Sequence, residues 1–180
     1  MYNGVPLSDA HMSEGRIVMS TYQEISKTFA ESVQLQAKYV SECCAFSNFF
    51  FSQMAEYLEW PKDQMAFAPD ENSQIEEPIC NSNSVRLQGD GNIHFFALFT
   101  IKRFDNVNHR YQLIFPFKVK KLEESFLLTI TGLVEEVLLS AQDTQEMNNV
   151  YEDLFAAMKS YFDTPYLDFT SEDFLRRTLP

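Results

Sequence analysis

The chain has three histidines, His11, His94 and His109, and few other groups suited to proton transfer near neutral pH. His11 falls in a stretch with no apolar period. His94 and His109 fall toward opposite ends of two strands expected to pair. At ~3.3 Å per residue that places them about 30 Å apart, too far to share a metal. His94 is then the one candidate general base, with a carboxylate from the polar 61–83 segment as its partner. The three cysteines are odd in number and form no disulfide framework, which points to a reducing, cytoplasmic setting. Cys43 and Cys44 are neighbours in a helical pattern and diverge, so they cannot act as a CxxC pair. Cys44 lies on the apolar stripe as a small hydrophobe. Cys80, in a loop, is the only thiol placed to react, and no histidine is near it in sequence.

Other chemistry finds less footing. The pairs Glu76-Glu77, Glu123-Glu124 and Glu135-Glu136 are adjacent in sequence, and neighbours point apart in regular structure, so none is read as sharing a proton. Gly89-Asp90-Gly91-Asn92 has neither the following helix nor the Lys-Ser/Thr of a phosphate cradle. Metal-ligand spacing, a nucleophile elbow and a dinucleotide fingerprint are all missing. The expectation is no catalytic set, no metal and no cofactor.

One constellation has physical content. Residues 85–121 hold seven basic and two acidic residues, a formal +5 in a chain of −12, so everything else carries −17. This basic segment also reads as sheet. On one sheet face it sets Phe96, Leu98 and Ile114 between Lys102 and Arg110 at one end and Lys118 and Lys120 at the other, with His94 close by. These eight residues are the candidate binding surface. Its charge must be met by the protein's own acidic helices or by an acidic partner. The acidic C-terminal helix is the expected cover for Lys118 and Lys120. Nucleic acid is disfavoured, because no RNA-binding motif is present and the net charge opposes phosphate.

The elements that position these residues are legible from periodicity. From Tyr22, steps of 3.6 meet Ile25, Phe29, Val33, Ala37, Val40, Cys44, Ser47, Phe51, Met54 and Leu58. Residues 20–59 therefore form a helix, stopped before Pro61. At 1.5 Å per residue it spans ~60 Å. A globule of this length is about 40 Å across. The helix must break, with Ser47-Asn48 the expected place, or protrude, or pack on a second subunit. A homodimer is the expectation.

Residues 61–83 read as a long irregular loop. Strands at 84–88, 93–104, 110–121 and 125–131 follow, joined by an Asp-Gly hairpin turn and two further turns into a four-stranded antiparallel meander. Alternation puts Phe95, Ala97, Phe99, Ile101, Tyr111, Leu113, Phe115, Phe117, Val119, Phe126, Leu128 and Ile130 on the core face. Leu87 and Leu127 join the other face. Pro116 lacks a ladder donor, which predicts a bulge or another strand order there. Residues 132–140 fit strand and helix equally. A helix capped by Asp143 carries the stripe Met147, Val150, Tyr151, Leu154, Phe155, Met158, Tyr161 and Phe162, and a short last helix follows Thr170-Ser171.

The fold class is thus α+β: a long N-terminal helix, a meander sheet and C-terminal helices packed on it. Residues 1–19 form a flexible tail without a signal peptide's basic start and apolar run, and 20–180 form one domain. No apolar run reaches the ~20 residues that span a bilayer, so no membrane partner is expected. The functional expectation is a non-catalytic, acidic protein-binding module, such as an adaptor, chaperone or inhibitor-type partner. The alternatives are an enzyme with a site near His94 and an inhibitor that mimics nucleic acid.

Overall fold

The computed structural model describes residues 21–103, 106–140, 142, 144–163 and 175–179. The expected tail with His11, the Asp143 cap and the start of the short last helix lie outside the described residues, as does the side chain of His109. Two compact units divide the chain, Met1–Leu35 and Gln36–Pro180.

Helix α1 runs Thr21–Tyr57 without interruption, so the expected break at Ser47-Asn48 does not occur. Ser47 is buried, but its hydroxyl donates to the Cys43 carbonyl one turn back (2.9 Å), which satisfies it inside the helix. Asn48 points out of the helix and is used elsewhere. The helix ends in a left-handed residue, Glu59 (φ 52). Trp60 N–H donates to the Ala55 carbonyl and Glu59 N–H to that of Glu56. This is a Schellman closure, with a glutamate where glycine is usual.

The sheet is larger than the four-stranded meander expected. Its strands are β1 Met65–Ala68, β2 Arg86–Leu87, β3 Ile93–Arg103, β4 Asn106–Leu122, β5 Ser125–Ile130, β6 Val134–Leu139 and β7 Leu175–Leu179. The through-path is β1-β3-β4-β5-β6, with β2 also on β3 and β7 also on β4. All pairings are antiparallel. The expected irregular loop therefore contains a strand, Met65–Ala68, and 134–139 resolves as strand. Residues 175–179 form β7 where a helix was expected. Pro116 needs no bulge. It stays in register opposite Phe96, and its carbonyl accepts from Thr131 N–H. It sits where β4 changes outer partner, between the residues paired to β7 and those paired to β5, so no ladder donor is missed.

The core lies on the face assigned by alternation. Ile93, Phe95, Phe99, Phe115, Phe117, Val119, Leu128 and Ile130 cluster with Cys43, Phe46, Phe50, Phe51 and Met54 of α1. Phe51 makes edge contacts to Phe67, Phe95 and Phe117. Leu87 pairs opposite Ile93 and so belongs to this face, not the other one. Helix α2, Thr144–Asp163, adds Met147, Val150, Tyr151, Leu154 and Met158 to the same cluster. Tyr151 Oη donates to the Phe50 carbonyl (3.1 Å). Both helices thus share one face of the sheet. The C-terminal helix does not cover Lys118 and Lys120, contrary to expectation, because Met147, Val150, Tyr151, Leu154 and Met158 turn its stripe to the core cluster, while Phe155 and Phe162 at its margin stay exposed.

Candidate functional site

The second sheet face is built as the alternation predicts, but its middle is closed. His94 pairs opposite Lys118, Phe96 opposite Pro116, Leu98 opposite Ile114 and Lys102 opposite Arg110. Leu98 and Ile114 are buried with Ala68, and Ala66 and Phe96 pack against them. Gln112 beside them is also buried, with Nε2 3.5 Å from Glu76 Oε2. Lys102 and Arg110 are exposed at one end, while Lys118 and Lys120 are half-buried at the other.

The acids that meet this face come from turns and strands. Arg86 pairs with Asp70 (3.1 Å) and His94 Nε2 lies 3.4 Å from Asp90 Oδ2. Lys120 Nζ donates to the Asp90 carbonyl (3.2 Å). Lys121, pointing the other way, pairs with Glu42 of α1 at 3.0 Å. An open depression of about 450 Å³ is lined by Asp90, Asn92, Lys118, Thr129, Glu135 and Glu136. Both glutamates reach it because the β5–β6 register shifts between Leu128 and Ile130, so two residues oppose Thr129. That bulge undoes the alternation that separates the pair in sequence. The Asp90 carboxylate is held down to about 2 by the Asn92 backbone N–H, then by the Asn92 side chain and His94. It is an anion at any ordinary pH and anchors the turn that carries it. Among the described residues no group of three or more His, Cys, Asp or Glu is placed to hold a metal ion.

The thiols are inward. Cys43, Cys44 and Cys80 are all free and buried. Cys80, read from sequence as a loop thiol placed to react, is fixed by Asn48, whose Oδ1 accepts from Cys80 N–H (2.8 Å) and whose Nδ2 donates to the Cys80 carbonyl (2.9 Å). Its thiol pKa is raised by a hydrogen bond to Cys44 and by burial. Cys80 is thus a buried, hydrogen-bonded thiol on the core side.

The most unusual surface is on α1. Residues 21–35 are exposed throughout, including Tyr22 at 79%, Phe29 at 70%, Ile25 at 64% and Val33 at 47%. These four continue the stripe along which Val40 is half-buried and Cys44, Phe51 and Met54 are buried in the core. At about 100° per residue, the half of the helix centred on Phe29 presents Thr21, Tyr22, Ile25, Ser26, Ser32 and Val33, with Thr28 and Ala30 at its margins and no charge among them. Glu24, Lys27 and Glu31 take the opposite side, where Lys27 and Glu31 approach to 3.8 Å. No helix among the described residues is long and apolar enough to cross a membrane.

No family model matches the chain, and no curated protein or solved structure does either.

Proposed function

We propose that the chain is a non-catalytic protein-binding module, of adaptor, chaperone or inhibitor type, and that it takes its protein partner on the uncharged face of α1 between Thr21 and Leu35. The observation that carries this is the exposed stripe Tyr22, Ile25, Phe29 and Val33. Scattered single apolar residues are ordinary on a surface, but a contiguous stripe on a helix marks a binding surface. The candidate sheet face has less to offer a partner, since Leu98 and Ile114 are buried. Its basic ends, Lys102 with Arg110 and Lys118 with Lys120, remain as secondary acidic-partner contacts. The enzyme alternative expected a carboxylate of 61–83 beside His94; the carboxylate placed there is Asp90, at the rim of an open depression, and that pair is what the alternative would rest on. The mimic alternative needs a row of helix-borne acids, whereas the far face of α1 alternates Glu24, Lys27, Glu31 and Lys38.

Comparative capture from native extract tests the proposal, using the parent chain and Phe29→Lys. A protein retained in stoichiometric amount by the parent, rebuilt as a complex from purified components and lost by a folded Phe29→Lys, supports it. Equal retention by both chains would move the binding surface elsewhere.

A further inference from the structure

We infer that the occupant of this surface is a second copy of the chain, with the two α1 segments antiparallel and a two-fold axis passing beside Phe29. The inference rests on the reading of α1 as the binding element and adds the identity and orientation of its partner.

Its ground is the order of residues around Phe29. The run Ile25-Ser26-Lys27-Thr28-Phe29-Ala30-Glu31-Ser32-Val33 reads nearly alike in both directions. A β-branched residue mirrors a β-branched residue, serine mirrors serine, and a small residue mirrors a small residue. Lysine mirrors glutamate, on the far side of the helix. An isologous contact requires one patch to complement itself under a two-fold axis. In an antiparallel helix pair the axis sets residue 29+k of one copy level with 29−k of the other. Ile25 then faces Val33 of the second copy, Ser26 faces Ser32, and the two Phe29 rings meet at the centre. A parallel pair would set each residue against itself and would have no use for the mirror order.

The packing chemistry agrees. Ile25, Phe29 and Val33 form an i, i+4 ridge, the row that interdigitates when two helices cross. Ser26, Ala30 and Ser32 beside the ridge are small, which permits the axis separation of about 8–10 Å that such packing needs. Docking this face strips water from no charge, because Glu24, Lys27 and Glu31 stand on the other side. The described part of this segment carries a formal −1, from two glutamates and one lysine, in a chain of −12. It is therefore a place where two like-charged copies meet with little repulsion.

Single-cysteine variants on the full chain test the orientation. The three native thiols are buried, so linkage between copies under diamide reports the introduced thiol. Phe29→Cys is expected to link to itself. Ile25→Cys and Val33→Cys are expected to link at least tenfold faster in an equimolar mixture than either does alone, and Lys27→Cys not to link. Because Phe29→Cys trims the contact, sedimentation equilibrium of the parent at micromolar concentration is read beside it, with a dimer expected. Self-linkage of Ile25→Cys or Val33→Cys as fast as their mixture would overturn the antiparallel pair. A parent that stays monomeric, with no linkage, would overturn self-pairing altogether. If such a monomer still bound a purified partner that Phe29→Lys lost, the binding-element reading would stand and only the second copy would fall.

Discussion

Asn48 is the clearest place to test how α1 holds the segment between β1 and β2. Its amide makes both backbone bonds of Cys80, at 2.8 Å and 2.9 Å, and Cys80 is buried. Asn48→Ala removes two hydrogen bonds, each contributing ~1 kcal/mol net, and leaves a buried N–H and C=O to be desolvated unpaired. The expected loss is about 2–4 kcal/mol, with some relief if water reaches the site. For a chain of this size each kcal/mol lowers Tm by about 2–4 °C, so the melt should fall by about 5–15 °C. Asn48→Asp is the sharper probe. One carboxylate oxygen still accepts from Cys80 N–H, but the other now faces the Cys80 carbonyl, so it should cost at least as much as alanine. Denaturant melts give the energies, and hydrogen exchange of the Cys80 amide should show protection lost in Asn48→Ala. An alanine variant within 1 kcal/mol of the parent, or an aspartate variant as stable as the parent, would refute the bracket.

Three further outcomes follow from the fold. Phe115→Ala, at a buried position packed edge-on to Phe99, should cost ~3–5 kcal/mol in a denaturant melt, and a loss near zero would contradict the core-face register. Glu59→Gly relieves a left-handed glutamate at an exposed helix end and should stabilise by ~0.5–1 kcal/mol; destabilisation would mean that the Glu59 side chain makes a needed contact. Asp90 has a carboxyl pKa lowered to about 2 from its usual 3.8. Its favourable contribution is fully present above the unfolded value and is lost as pH falls through about 2. A side-chain NMR titration should show that midpoint, and a midpoint near 4 would mean the Asn92 contacts are not made.

Periodicity carried most of the fold. The 3.6-residue stripe located α1, and strict alternation assigned the faces of β3, β4 and β5, placing on one face Phe95 and Phe117, which the sheet pairs. What escaped has local causes. Met65–Ala68 is four residues long, too short for alternation to stand out, and is a strand because β3 offers it an edge. Ser47 looked like a break because propensity ignores the Cys43 carbonyl that satisfies it. The role of α2 was misjudged because charge was weighed above apolar matching. The acids that approach Lys118 sit instead on β6, where a bulge turns Glu135 and Glu136 to one side. A one-residue register shift leaves no mark in composition. The exposed stripe of α1 was visible as a pattern. Sequence could not say where along the helix burial stops, since Tyr22 and Phe51 lie on the same stripe and differ only in what the fold brings near them.

The most direct measurement of the central claim is sedimentation equilibrium of the parent chain and of Ile25→Lys/Phe29→Lys at micromolar concentration. Each substitution puts a charge on the face proposed to pair, far from the buried core residues of α1. The account predicts twice the 20.9 kDa chain mass for the parent and the single-chain mass for a double variant that melts like the parent. A parent at 20.9 kDa, or a double variant that remains a dimer, would contradict it.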